Sequence, residues 1–344
     1  MLDCYKIKLF FKYIFSYAQR ERMFRNTLRV VIASLLLVSS VLLAQDGMSF
    51  NAASGDKEDA YNDMVNEKLE SIGFVLSDPH EQINEAYSQK YSQEKDYEET
   101  LDNLGFFPVS NDVALRPLLM KEPRLGAFSP FNLHIYKYKN EDVTHVGHLS
   151  PTVILDIVGA KDKDIRTDFI KMFEPLDTLV NAEIGGKREV FTFKKLPKKK
   201  LMEFELKFER PDELLDFIEG FQEKFEGAFE ENKYIIAGYK NFSEVYADRE
   251  EDFSRYDTYF VYSVCHFYFS YKVFNYGNAQ AGAFAPCSMY MYVEKDSNVM
   301  HIGMAYLENW ISVAGIKDAE QIKSIRAIDK DMIRIMQALG AKLK

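Results

Sequence analysis

The chain has only three cysteines in 344 residues. It has no Gly-x-Ser-x-Gly turn, no glycine-rich loop that would cradle a phosphate, no His-Glu-x-x-His and no cysteine pair at zinc spacing. These absences remove the usual serine-hydrolase, nucleotide-phosphate, metalloprotease and zinc-domain readings, and they point away from an enzyme without closing that question. Positive charge is also short, with 43 Lys and Arg against 53 Asp and Glu. Seven of the basic residues and two of the acidic ones fall in the first 44 positions, which leaves a net −15 on the remaining 300. An acidic body repels phosphate and argues against nucleic acid as a partner.

One uncharged apolar run occurs at 30–44, preceded by Arg25 and Arg29 and followed by Gln45-Asp46-Gly47. A basic flank, a short apolar core and a polar exit form the layout of a secretory signal. A bilayer span needs about 20 residues, so cleavage at Ala44 is the first expectation and a membrane anchor through this uncleaved segment the second. Met23 would give the run a normal short basic start, and 1–22 is read as an upstream extension. The expected location is therefore the periplasm, with attachment to the inner membrane as the alternative. Cys4 falls in the leader, so export leaves Cys265 and Cys287 as an even pair.

What the chain does have is a repeat. Gly126-Ala127-Phe128-Ser129-Pro130 returns as Gly282-Ala283-Phe284-Ala285-Pro286, 156 positions later. Carried from Gly126 to Asp162 without a gap, that register gives 12 identities in 37 positions, where chance would give about two. The chain therefore divides into a leader at 1–44, a first repeat domain at 47–185 and a second at 187–344.

Periodicity gives both repeats an α+β character. In the first, a helix at 57–72 ends at Gly73, strands follow at 74–76 and 104–109, and a helix at 113–120 stops before Pro123. A hairpin then leads to a closing helix carrying Ile165, Phe169, Met172 and Leu176. In the second, strands at 189–193 and 201–208 flank a basic turn at 194–200, read as a solvated hairpin turn. Pro211 opens a helix, strands follow at 234–239 and 258–266, and a helix follows at 268–276. The last helix carries Ile322, Ile325, Ile328, Met332 and Ile335.

The strand pair after each Gly-Ala-Phe segment fixes a register. A loop at 139–142 sets Tyr136 against His145 and His134 against Gly147; the same register sets Tyr292 against His301 and Tyr290 against Gly303. Alternation puts Leu133, Ile135 and Val146, and in the second repeat Met289, Met291, Met300, Ile302 and Met304, on the opposite, helix-facing side. The Tyr/His faces are then free either to meet a ligand, with Tyr136, His145, Tyr290, Tyr292 and His301 as its contacts, or to pack the two halves together. His145-Val146-Gly147-His148 is not a metal clamp, because residues three apart on a strand point to opposite faces. Glu250-Glu251-Asp252 reads as a solvated run.

Val264-Cys265 before a helix, followed by Gly282-Ala283-Phe284-Ala285-Pro286-Cys287, resembles the domain of unknown function 302 family, with its cysteine-containing strand end, helix and Gly-x-x-x-Pro-Cys strand. Leu69-Glu70-Ser71-Ile72-Gly73-Phe74-Val75 resembles the helix-to-strand step of that family. The resemblance spans most of the chain beyond the leader as two copies, the second the better match, since Val109 and Phe131 replace the two cysteines in the first. It implies two tandem TATA-binding-protein-like repeats, each a curved antiparallel sheet backed by helices, joined as a pseudo-dimer within one chain. It implies no activity.

The paired replacement of Cys265 and Cys287 in the first copy leaves three readings: a disulfide, two buried thiols, or a metal or redox site. The aromatic run from Tyr259 to Phe269 reads as core; any ring that lined a cavity would favour an apolar or aromatic ligand, lipid-like or a tetrapyrrole. The leading functional expectation is a binding or scaffolding protein for a small molecule or a protein partner. A metal-handling or thiol redox protein centred on Cys265 and Cys287 is the alternative. No particular cofactor is indicated.

Overall fold

The structure is a computed structural model that describes residues 44–344; the basic leader and the apolar run expected to direct export lie outside the described residues. The first repeat opens with β1 (Gln45–Ser54) and a helical stretch that starts as α1 (Glu58–Asp63), widens to a π-helical turn at Met64–Lys68 and tightens to a 3-10 turn at Leu69–Ile72. It stops because Gly73 turns to φ 82°, a left-handed conformation that its missing Cβ permits, and donates its N–H to the Glu70 carbonyl. Then come β2 (Val75–Leu76), α2 (Ile83–Tyr91), β3 (Leu101–Ser110), α3 (Asp112–Leu119) and a 3-10 turn at Pro123–Phe128. The repeat closes with β4 (Phe131–Tyr138), β5 (Val143–Leu149), α4 (Pro151–Val158), α5 (Lys163–Glu183) and β6 (Lys187–Phe193).

The second repeat runs through β7 (Leu201–Lys207), α6 (Leu214–Glu231), β8 (Ile235–Asn241), α7 (Phe242–Asp248), β9 (Tyr256–Cys265) and α8 (Phe267–Phe274). A 3-10 turn at Ala279–Phe284 leads to β10 (Cys287–Glu294), β11 (Val299–Ala305), α9 (Glu308–Val313), α10 (Ala319–Ala338) and β12 (Lys342–Leu343). A shift of 156 residues carries the first 3-10 turn, β4 and β5 onto the second turn, β10 and β11 with both ends matched.

The strands form two six-stranded sheets, ordered β2-β3-β4-β5-β1-β6 and β12-β7-β11-β10-β9-β8, with antiparallel pairing. The protein is thus α+β, with two sheets backed by helices. The hairpin registers are those expected: Tyr136 faces His145 and His134 faces Gly147, while Tyr292 faces His301 and Tyr290 faces Gly303. The apolar faces meet helices, since Tyr61 of α1 donates to the Leu133 carbonyl and Phe173 of α5 stacks on Phe131. Met289, Met291, Met300, Ile302 and Met304 are all buried.

Two expectations fail. The strands around the basic turn do not pair with each other: β6 adds to the outer edge of β1, whereas β7 pairs with β11. Residues 194–200 therefore link the two sheets, because each strand finds its apolar match in a distant partner. The helix expected to open at Pro211 starts instead at Leu214, capped by the backbone of Glu213.

Candidate functional site

The rings of Tyr136 and His145 stack at 4.5 Å, and those of Tyr292 and His301 at 4.9 Å. These faces do not open to solvent. Tyr136 and Tyr290 are each 2% exposed, because the 3-10 turn of each repeat lies on the sheet of the other. His134 places Nδ1 2.8 Å from the Gly105 carbonyl and Nε2 2.8 Å from the Ala279 carbonyl across the seam. Asn132 donates to the Gly282 carbonyl, Ser288 to the Pro130 carbonyl, and Tyr138 Oη accepts from the Ala279 N–H.

The repeated glycines explain themselves here. A Cβ on Gly282 would sit 2.4 Å from His134 Nε2, and one on Gly126 2.7 Å from Tyr290 Cβ. Only a bare backbone can approach those rings. The Tyr/His face, which the sequence left free for either role, is the packing surface between the repeats, and Tyr136 and Tyr290 meet protein there. The two histidines sit at its margins. His145 Nδ1 is buried without a hydrogen bond, 3.6 Å from Glu189, with Glu141 3.8 Å from Nε2. Burial holds its pKa below the usual value even so. His301 is more open and lies 3.9 Å from Glu205, whose nearer partner is Lys344 at 2.8 Å.

Cys265 and Cys287 are free thiols, so the expected disulfide is not formed. Register gives the reason: the residue opposite Cys287 is Val264, so Cys265 stands one step out of line with it, although both thiols border one small cavity. Burial pushes the Cys265 thiol up to about 11 and raises Cys287 as well. A thiol held protonated is a poor nucleophile and a poor metal ligand. Among the described residues no group of three or more His, Cys, Asp or Glu side chains is placed to hold a metal ion. Cys265 borders an apolar cavity of about 40 Å³ with Tyr87, Phe106, Ser270 and Pro286. That space suits water-sized guests, not a lipid chain or a tetrapyrrole. The strand aromatics Tyr259, Phe260 and Tyr262 are core, as expected.

The larger opening lies along α8, where Tyr268, expected from its place in the aromatic run to be core, faces outward instead. Tyr271 of α8 stacks on Tyr91 of α2 at 4.5 Å, and Tyr87 donates to Ser270 Oγ at 2.8 Å. On the outer side Tyr268 and Lys272, four residues apart, share one face of α8, and Tyr276 stands in the turn just past its end. Lys272 Nζ lies 5.2, 4.7 and 5.3 Å from the ring centres of Tyr268, Tyr271 and Tyr276, and 2.7 Å from Glu94 of the first repeat. Beside it a groove of about 530 Å³ opens, rimmed by Asp96, Asp318 and Glu320, with the Tyr268 ring 45% exposed. The first repeat has no counterpart, since α3 carries Val113, Arg116 and Pro117 where α8 carries Tyr268, Tyr271 and Lys272.

No helix among the described residues is long and apolar enough to cross a membrane. No protein-family model and no curated protein matches the chain. It is similar to a solved structure, that of an uncharacterized conserved protein DUF302 from Bacillus stearothermophilus, at 16% identity and a TM-score of 0.32. The alignment covers 40% of this chain and 95% of that one. That Bacillus protein carries the family designation that the Gly282–Cys287 segment resembles.

Proposed function

We propose that the chain is an exported tandem protein of the domain of unknown function 302 type, whose two TATA-binding-protein-like repeats act as a pseudo-dimer and whose second repeat binds a small molecule in the groove along α8. The reciprocal seating of each 3-10 turn on the other sheet supports the pseudo-dimer. Export rests on the basic flank and the apolar run of the leader.

One observation carries the binding reading: an exposed tyrosine ring opens on a groove of about 530 Å³, within the range that small ligands occupy. The groove stands on a rigid base of stacked rings from both repeats. Raised, buried thiols weigh against the rival reading at Cys265 and Cys287.

Native mass spectrometry of the protein from its own host tests the proposal. The expected result is a retained small molecule on the wild type and its loss from Tyr268→Ala. Equal retention by the folded variant places the ligand elsewhere.

A further inference from the structure

We infer that the ligand class of the α8 groove is an organic cation, a compact ammonium with an apolar body, an inference that rests on the groove being the binding site. The first support is that the groove already holds an ammonium of its own. Lys272 Nζ sits within 5.3 Å of three tyrosine ring centres, as the negative π faces of aromatic rings favour. Glu94 at 2.7 Å balances that charge, so Lys272 does not set the sign of the groove.

The rim does. Asp96, Asp318 and Glu320 line the opening, and among the described residues neither Asp96 nor Asp318 has a cationic partner. Asp318 uses one oxygen to cap α10, accepting from the Gln321 N–H. Glu320 reaches only Lys323 at 3.5 Å, with both side chains about four-fifths exposed, a pair worth little in water. The free space is therefore edged by carboxylates and floored by the exposed Tyr268 ring. An anion meets repulsion there, and a neutral apolar guest leaves the carboxylates unused. An ammonium uses both.

Choline and its uncharged isostere, 3,3-dimethyl-1-butanol, have nearly the same shape, and titrating the full-length protein with each by NMR isolates the charge. The expected result is saturable choline binding at least ten-fold tighter than that of the alcohol, weakening as salt is raised. Tyr268→Ala should weaken choline about three- to five-fold. Asp96→Asn should weaken it and flatten its salt dependence, with unchanged thermal unfolding in both variants as the control for folding. Equal binding of the two compounds overturns the cation inference and leaves the groove as a binding site. A neutral or anionic host ligand lost from Tyr268→Ala does the same. If choline fails to bind and the host ligand is unaffected by Tyr268→Ala, the groove itself is the wrong place.

Discussion

His145 lies flat on Tyr136, ring centres 4.5 Å apart and planes 5° from parallel, at the edge of the seam between the repeats. One register step inward His134 lies against Phe106 in the same way, at 5.2 Å and 6°. The seam is therefore a layer of rings in which burial disfavours the charged form of two imidazoles. That arrangement sets a pH dependence.

Burial is the main reason that the His134 pKa falls to about 4, against the pull of the two carbonyl oxygens it touches. A base whose folded pKa lies below its unfolded value binds protons more weakly when folded. Its effect is nil above the unfolded pKa of about 6.5, and stability drops as pH falls from there toward 4. For His134 the loss is on the order of 3 kcal/mol; His145 adds to it in the same direction. Chemical denaturation of His134→Asn at pH 4.5 and pH 7 should show a smaller difference than the wild type shows. An equal difference would mean that His134 does not titrate in this window.

Asp329 works against that slope. Its carboxylate accepts from the N–H groups of Leu307 and Glu308 at the start of α9, and burial lifts its pKa to about 7. An acid with a raised folded pKa favours folding at low pH and gives up that advantage as pH rises from about 4 to 7. Asp329→Asn should therefore steepen the loss of stability on acidification. Thermal unfolding across pH 4 to 7 reads the change directly.

The glycines of the seam offer the sharpest steric test. The closest atoms to a Cβ on Gly147 are the Ser49 carbonyl at 2.0 Å and Phe50 Cα at 2.7 Å, both backbone. On Gly282 the obstacle is a histidine ring fixed by contacts on both nitrogens. Neither can move aside cheaply, so Gly147→Ala and Gly282→Ala should each cost about 1–3 kcal/mol or more. Gly220→Ala on α6, where a Cβ meets nothing within 4 Å, should cost nothing and gain a little helix propensity. Urea midpoints of the three variants give the comparison.

How much of this was legible depends on where each residue finds its partner. The hairpin register, the Gly73 cap and the helix-facing apolar residues are local, set by alternation and turn length, and all three were readable. The pairing of β6 was not, because Lys187–Phe193 reads as a strand in either sheet and only β1 decides which. Likewise α2 hid in a polar stretch: its apolar contacts are Tyr87 and Tyr91, whose partners Phe267 and Tyr271 lie in the other repeat. The groove along α8 shares that cause. Tyr268, Lys272 and Tyr276 at four-residue spacing were a visible stripe, but Glu94 and Asp96, which complete the site, come from about 175 residues earlier.

The thiols give a chemical check on the sheet register. If the one-residue register offset keeps Cys265 and Cys287 unjoined, unreduced protein unfolded in denaturant should titrate with both free, and Cys265→Ser and Cys287→Ser should each remove one equivalent. Before unfolding, both should react slowly, since burial keeps them protonated. Neither thiol titrating in the wild type, with a gain of one equivalent in each variant, would mean that the two sulfurs are joined.

The last test concerns charge buried between the repeats. Lys240 of β8 lies 2.8 Å from Asp112 at the start of α3, with side-chain exposures of 10% and 3%. Ser110 donates to the same carboxylate at 2.7 Å, and Tyr246 donates to the Asp112 carbonyl at 2.9 Å. Burial lowers the Lys240 pKa although Asp112 opposes it, so desolvation exceeds the attraction that the pair returns. Removing Asp112 leaves Lys240 buried without its carboxylate, and removing Lys240 leaves Asp112 with only the more distant Arg249 at 3.7 Å. Lys240→Met and Asp112→Asn should each destabilise by about 3–5 kcal/mol, and the double variant by clearly less than their sum. Because one residue comes from each repeat, the coupling energy measured by equilibrium unfolding reports how strongly the two halves are held as one folding unit. A coupling near zero would mean that this ion pair contributes nothing to holding the two halves together.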